Sequence, residues 1–600
     1  MVKDLYAEHL KDLTSQVTML KRRNPIFLTL ELISFALFVI FLYEYFFVFH
    51  KPVFILMVVV CIAIYAVTRF FDRKNVARLS LAERIQTVYE NELLYLDGDF
   101  SRFGDGEKYI DKHHPFSTDM DLFGQLSLFN RINRTVTTGG SDSLAQCLIS
   151  LPHSSDEVRR RKESIDELAA MGDIRTLFMA SPSSSIDTAK ISSVLKNASS
   201  TRVSPLFSNP LFLCFVYVFI ALLFVTISLS IFTPLSANVP VLIALLMLFM
   251  SLTVASRTLN RISRVVNRLT KELEGYVNLF KVLKDIEFKT HYDRQLHQKL
   301  FSEDDNSLAA LHELTRILAA IDRRGNILGL IFANAFFFSD FFLVRRFTRW
   351  QQTNLSHLPL WIDCVSQFDA MMSMATFRFN HPEAVDAEIL DVDKIVYQAM
   401  ALYHPFIGID KAVKNDFKID DGAFYIITGA NMAGKSTFLR SVGINYILAM
   451  NGMPVFAQSL KISMFNIFTS MCTTDDLTHG ISYFNAELIR LQQLICACKK
   501  SEHTLIILDE ILKGTNSLDK LNGSRLFLES ILSLPVSGVI ATHDLELSKM
   551  ADSDPQHFHN YCFEVELGDD VTYSYRITSG VARNQNATFL LNKILTQVSQ

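Results

Sequence analysis

Long apolar stretches interrupt an otherwise mixed hydrophobic and polar pattern. Leu211 to Phe232 runs for 22 residues without a charge, and Val239 to Ser256 adds 18 more. Each is long enough to cross a hydrocarbon core as a helix. The first holds 16 Leu, Ile, Phe or Val, a content that favours insertion by about 5–9 kcal/mol. The uncharged link Thr233 to Asn238, with Pro234, predicts a helical hairpin with a very short outer loop. Ile26 to Phe49 and Val53 to Thr68 form an earlier pair around His50-Lys51-Pro52, with Glu31 and Glu44 near the ends of its first run. A fifth run, Ile327 to Val344, carries Asn334 and Asp340 and has basic pairs on both flanks, Arg323-Arg324 and Arg345-Arg346. An odd fifth crossing would export the C-terminal part of the chain to the far side, so we read this run as a buried core helix.

The charges beside the four runs set a direction. Lys21, Arg22 and Arg23 precede the first, and Arg69, Arg73, Lys74 and Arg78 follow the second. Arg202 precedes the third, and Arg257, Arg261, Arg264 and Arg268 follow the fourth. By the positive-inside rule both termini and all large segments are cytoplasmic, in an integral membrane protein with four transmembrane helices. The first run is too long for a cleavable signal peptide and has no small-residue cleavage site after it.

Elsewhere the pattern separates two textures. Leu5, Leu10, Leu13, Val17 and Leu20 recur at helical spacing and predict a cytosolic amphipathic helix over 1–25. Residues 257–290 predict one long helix leaving the membrane, and the helical pattern continues from about 303 to 380. After Ala423 short β-branched runs alternate with helices. Phe424–Thr428, Leu505–Leu508 and Val539–Thr542 are candidate buried strands. That alternation predicts a mostly parallel sheet covered on both faces.

Composition agrees with the membrane runs. Of 600 residues 49% are hydrophobic, and Phe alone contributes 48. A net charge of -4 excludes a global basic bias, so any nucleic-acid contact must come from a local patch. Arg159, Arg160, Arg161 and Lys162 are the candidates. Eight scattered Cys fit reduced thiols, and Cys496-x-Cys498 lacks the partners of a zinc site.

Candidate chemistry lies in the C-terminal third. Gly429-Ala-Asn431-Met432-Ala-Gly434-Lys435-Ser436-Thr437 is a complete Walker A motif between an apolar strand and a helix. Its glycines let backbone N–H groups turn toward phosphate oxygens, and the helix N-terminus adds its positive dipole end. Lys435 is placed to reach the β and γ phosphates of ATP, and Ser436 to ligate Mg2+. Leu505-Ile-Ile-Leu508-Asp509-Glu510 puts two carboxylates at the end of a buried strand, the edge where open α/β sheets bind ligands. Asp509 is the second candidate magnesium ligand, and Glu510 the candidate base for water. His543, after Ala541-Thr542, is a candidate catalytic residue that senses the γ-phosphate or positions water.

These residues resemble the MutS family of DNA mismatch-repair ATPases. The family's P-loop reads TGPNMGGKST, and this chain reads Thr428-Gly-Ala-Asn-Met-Ala-Gly-Lys-Ser-Thr437. Phosphate geometry does not demand the Asn431-Met432 pair, so it carries family information. The family's DEIGRGTSTFDG appears as Asp509-Glu-Ile-Leu-Lys-Gly-Thr-Asn-Ser-Leu-Asp519-Lys520, with departures at Leu512 and Lys513. Asp475-Asp-Leu-Thr-His-Gly480-Ile-Ser482-Tyr-Phe484-Asn-Ala-Glu487 resembles the segment by which one subunit completes the ATP site of the other. The resemblance therefore implies a homodimer with composite sites, with Ser482 facing a γ-phosphate in trans. Upstream, Met400 to Pro405, Asp119 to Phe129, Asn133 to Gly140 with Leu144, Val158 to Leu168, Ser339 to Trp350 and Asp369-Ala370 are similar to the family's core and lever.

The resemblance implies an α/β P-loop ATPase domain of ABC/MutS type at 396–600, after an all-α core and lever at 76–205 and 259–395. Transmembrane hairpins occupy 26–75 and 206–258. No mismatch-reading domain and no Phe-x-Glu wedge precedes the core, and the second hairpin stands where a DNA clamp is expected. The main reading is an ATP-hydrolysing, DNA-binding protein related to mismatch repair and anchored in membrane lipid. The alternative is a membrane-embedded ABC-type mechanochemical ATPase that acts on a membrane partner without DNA.

Overall fold

A computed structural model describes residues 1–182, 186–200, 203–302, 306–471, 483–500, 503–567 and 571–583. The chain divides into two compact units, both discontinuous in sequence. The first comprises Met1–Asp99, Thr135–Asp142 and Met171–Ala370; the second comprises Phe100–Arg134, Ser143–Ala170 and Met371–Gln600.

The first unit is helical. Helix α1 (Val2–Tyr43) and, after a π-helical turn at Glu44–Phe49, helix α2 (Pro52–Leu96) form an antiparallel pair. The amphipathic segment expected at 1–25 is not a separate helix but the first half of α1, which runs through Pro25 without a break. Leu13, Val17 and Leu20 pack against Leu79 and Ala82, whereas Leu5 stays exposed. Past this seam the surface is apolar and outward-facing, with Leu28, Leu32, Phe35 and Val39 all exposed. Glu31, the charge inside the first run, is buried and pairs at 3.3 Å with Arg69 on the opposite helix. That pairing removes the cost of leaving the carboxylate alone in an apolar setting.

Helices α3 (Pro210–Phe232) and α4 (Asn238–Met250) form the second hairpin. Through a π-helical turn, Ser251–Ala255, α4 continues into α5 (Ser256–Lys284). Leu259, Ile262, Val266, Leu269, Leu273 and Tyr276 recur every three or four residues on the buried face of α5, the period of an amphipathic helix. Arg257, Arg261, Arg264 and Arg268 lie on its exposed face. Among the described residues four helical stretches are each long and apolar enough to cross a membrane by length and composition: Val2–Phe49, Pro52–Leu96, Pro210–Phe232 and Asn238–Lys284.

The fifth apolar run corrects the expectation of one buried core helix. Helix α6 (Ser307–Asp322) is followed by α7 (Ile327–Phe337) and α8 (Ser339–Asn354), and α7 and α8 meet at 84°. Phe338, at φ 50°, makes the break. Only α8 is a core helix, burying Phe341, Val344, Phe347 and Trp350; α7 leaves most of its apolar side chains exposed. A final helix, α9 (Leu358–Asn380), passes from this unit into the second.

In the second unit, strands β1 (Glu388–Leu390), β2 (Tyr397–Leu402) and β3 (Asn415–Ile419) precede β4 (Phe424–Gly429). Then come α10 (Lys435–Met450), β5 (Ser459–Ser463), β6 (Asn466–Ser470), α11 (Tyr483–Lys500) and β7 (Thr504–Asp509). Helix α12 (Ser517–Ile531) and strands β8 (Val536–Thr542), β9 (Phe558–Leu567) and β10 (Val571–Ser579) follow. A six-stranded sheet has the order β10-β9-β4-β8-β7-β6, parallel except for β9–β10. The three expected strands are β4, β7 and β8, side by side at its centre and buried almost throughout. A second sheet, β1-β5-β2-β3, was not anticipated.

Residues 100–134 and 143–170 also belong to this unit. Arg440 on α10 donates to the Asp119 carbonyl at 3.0 Å and pairs with Asp121 at 2.9 Å. Thr469 on β6 donates to the Asp119 carboxylate at 2.7 Å. The candidate basic patch is partly paired within the unit, with Arg159 and Arg160 exposed and Arg160 donating to the Asp156 carbonyl at 3.2 Å. Arg159 pairs with Asp156, Arg161 with Glu157, and Lys162 with Asp166 and Asp386.

Candidate functional site

The site grows from the C-terminal edge of the six-stranded sheet. Strand β4 is buried at every position and delivers the chain into the loop 429–434. Gly429 has φ 156°, and a Cβ there would stand 3.0 Å from the Phe563 carbonyl oxygen. Gly434 closes the loop at φ 104°, where a Cβ would meet the Tyr575 ring at 3.0 Å. Between them Met432 takes a left-handed φ of 66° and is exposed, a conformation that costs a side-chain-bearing residue free energy and gathers at functional sites. Helix α10 then starts at Lys435, with its free N–H groups facing the loop.

Lys435 is buried, and its ammonium donates to the carbonyls of Gly429 at 2.8 Å and Ala430 at 3.0 Å. Burial pushes its pKa down to about 8, against the pull of Asp509 and Glu510. The loop thus presents a cation that lacks a full counter-charge, flanked by a helix N-terminus, which is a setting for a polyanion. Ser436, one residue on, donates to Asp509 Oδ2 at 2.5 Å. A hydroxyl and a carboxylate therefore converge at the mouth of the loop. Both are the hard oxygen donors that magnesium takes, so the residues present fit that ion.

Glu510 follows Asp509 in a left-handed turn at φ 59°, and Leu512 repeats this at φ 58°. The Glu510 N–H is held by the Ala541 carbonyl at 2.9 Å, which ties the turn to β8. Its carboxylate lies 3.2 Å from the Lys520 ammonium and 3.1 Å from His543 Nε2. Burial alone would raise the Glu510 pKa, but Lys520 and His543 outweigh it and hold the carboxyl below its ordinary range. Burial, then Lys435, lowers the His543 pKa. Its ring lies 3.4 Å from the Lys435 ammonium.

These groups line one cavity of about 780 Å³, within the size range of small-molecule sites. Asn431, Met432, Gly434, Lys435, Ser436, Thr437, Asp509, Glu510 and His543 all reach it. Gly429 forms the loop's floor without lining the cavity. Ser482 lies outside the described residues, as do all positions from 472 to 482. The end of that segment is described: Glu487, on α11, accepts from the N–H groups of Lys513 and Gly514 at 3.0 Å each.

Sequence reasoning did not identify three contributors. Lys520 stands on the first turn of α12, ten residues beyond Glu510, a spacing that only the intervening turn brings back into contact. Tyr575 packs against Gly434 from β10, at φ 52°. His404 lines the cavity from the other side, and burial pushes its pKa down to about 4. The first could have been sought in the stretch after Glu510; nothing in the local sequence marks the second.

Comparison with known proteins bears on the same region. Residues 425–590 match the family model for MutS domain V. A DNA mismatch repair protein MutS from Thermotoga neapolitana is 35% identical over 172 residues, covering 28% of this chain and 21% of that protein. One from Fervidobacterium nodosum is 30% identical over 234 residues, covering 38% of this chain and 27% of the relative. One from Rickettsia canadensis is 37% identical over 174 residues, covering 28% and 19%. The chain thus spans less than a third of the length of the curated relatives it matches. The glycine-rich loop, the paired carboxylates and the histidine of this site all lie inside residues 425–590, the stretch of this chain that is similar to MutS domain V.

Proposed function

We propose that this chain is a membrane-anchored ATPase of MutS type, which hydrolyses Mg-ATP at the cytosolic face and uses the cycle to grip and release DNA. The observation that supports it most is the convergence of Lys435, Ser436, Asp509 and Glu510 on one cavity at the edge of a parallel sheet. Lys435 and the backbone N–H groups of loop 429–434 bind the phosphates, and Asn431 and Thr437 shape the loop around them. Ser436 and Asp509 hold magnesium, which supplies charge neutralisation to the phosphate oxygens. Glu510, kept ionised by Lys520 and His543, accepts a proton from the attacking water. His543 orients that water or the terminal phosphate.

A homodimer completes each site when Ser482 of one copy reaches the nucleotide of the other. The four long apolar stretches anchor the protein, with both termini cytoplasmic, as the basic flanks direct. The relatives are DNA mismatch repair proteins by name, and that is the ground for proposing DNA as the ligand. One observation favours the second reading, action on a membrane partner without DNA. Residues Asn238–Lys284 form a single helical path from an apolar span into a cytosolic helix, so a displacement of α5 passes directly to the membrane.

The test is the ATPase rate of the purified full chain in lipid nanodiscs, without DNA, with homoduplex and with mismatched DNA. DNA stimulation that weakens with added salt supports the first reading. A rate that responds to lipid composition and is indifferent to DNA at low salt supports the second.

A further inference from the structure

Helix α7 carries an apolar face that the fold leaves bare. Ile327 is 69% exposed, Leu328 80% and Phe332 56%, and Ile331 and Phe337 are exposed beside them. The two polar residues that argue against a lipid setting for this run are both turned inward. Asn334 is fully buried; its Oδ1 accepts from Ser251 Oγ at 2.7 Å and from the Asp340 N–H at 2.9 Å, and its Nδ2 donates to the Leu330 carbonyl. Asp340, also buried, takes a two-pronged ion pair from Arg324, at 3.0 and 2.9 Å.

That ion pair decides the topology. Arg324 precedes α7 and Asp340 comes after it, so the two ends of the helix are bonded to each other. A passage across the roughly 30 Å of a hydrocarbon core would separate them. The helix has 11 residues, about 16 Å of rise, which is half such a core. The charges agree: Arg323 before it and Arg345 and Arg346 after it place both flanks on the basic side. Its neighbours supply the setting. Helix α7 packs on α4 of the second hairpin, and Phe337 meets Phe224 of α3 with ring centroids 6.0 Å apart. The bare face is therefore continuous with the exposed apolar surface of that hairpin, where Leu222, Val225, Leu245 and Leu246 also point outward.

We infer that α7 is a fifth lipid-embedded element that does not cross. Its outer face lies among the acyl chains of the cytosolic leaflet, while the Arg324–Asp340 pair keeps both its ends on the cytosolic side. The occupant of the bare face is lipid. This rests on the membrane anchoring proposed above.

The test uses the full chain in vesicles whose lipids carry bromine either high on the acyl chain or near its end. Phe332→Trp and Leu328→Trp report on α7, and Leu222→Trp reports on the second hairpin. Native Trp350 and Trp361 are buried and give the background. The expected result is quenching of all three introduced tryptophans, with the α7 pair quenched more by the shallow bromines and Leu222→Trp more by the deep ones. Quenching of Leu222→Trp alone overturns the inference and leaves the anchoring intact. Stronger deep than shallow quenching at Phe332→Trp overturns it in favour of a full crossing. No quenching at any position removes the anchoring, and the inference with it.

Discussion

Ser436 on the first turn of α10 donates a 2.5 Å hydrogen bond to Asp509 at the end of β7. Helix and strand thus present two oxygens at one point. Ser436→Ala leaves one of them. The magnesium concentration for half-maximal ATP hydrolysis is expected to rise on the order of tenfold or more, since even outer-shell partners of a metal are worth that. A magnesium titration of the rate checks this, and an unchanged midpoint removes Ser436 from the ligand set.

Glu510→Gln keeps the shape of the turn and removes the proposed base. Turnover is expected to fall by about 10²–10⁴-fold, the usual worth of a positioned acid or base, with Mg-ATP binding retained. Single-turnover hydrolysis beside equilibrium binding separates the two effects. Normal turnover means that another group accepts the proton.

Glu487 sits outside the cavity yet holds the turn that carries Glu510. Glu487→Ala leaves the N–H groups of Lys513 and Gly514 without their acceptor, at a cost of about 1–3 kcal/mol each if they stay dry. The left-handed turn at 510–512 is then free to relax. The expected signature is a lower kcat with an unchanged ATP dissociation constant, partly rescued by Glu487→Gln. A change confined to ATP affinity contradicts this positioning role.

Asp369 on α9 is buried and accepts from the N–H groups of Val136 and Thr137 and from the Thr137 hydroxyl. Burial nevertheless raises its pKa to about 7. Between the unfolded carboxyl value and about 7 the folded state holds the extra proton, so stability from this group declines as pH climbs through that window. Urea unfolding at pH 5 and pH 7.5 is expected to show wild type losing stability relative to Asp369→Asn. Parallel pH profiles contradict it.

The legible parts of this molecule are those in which few neighbouring residues decide the outcome. A strand, a glycine loop and a helix start are adjacent in sequence, so Gly429 to Thr437 announced the strand–loop–helix unit directly. The strands at Asp509 and His543 were legible because each is a run of buried apolar residues. What depended on distant partners was not. Asn334 and Asp340 are buried, but their partners Ser251 and Arg324 and the left-handed turn at Phe338 that breaks the run at 327 into two helices are not written in the run itself. Arg159 to Lys162 reads as a run of free cations until Asp156, Glu157, Asp166 and Asp386 are found paired with Arg159, Arg161 and Lys162. The small sheet of β1, β2, β3 and β5 has strands of three to six residues, too short for alternation to stand out from the background.

Every role assigned to the site depends on Lys435 as the cation that receives ATP phosphates. The most direct measurement is equilibrium binding of Mg-ATP to the detergent-purified full chain, wild type against Lys435→Ala. Saturable binding by wild type that is lost or weakened by at least an order of magnitude in the variant is the predicted result, as removal of a buried charged partner commonly costs that much. Equal binding by both proteins, or none by wild type, would contradict it.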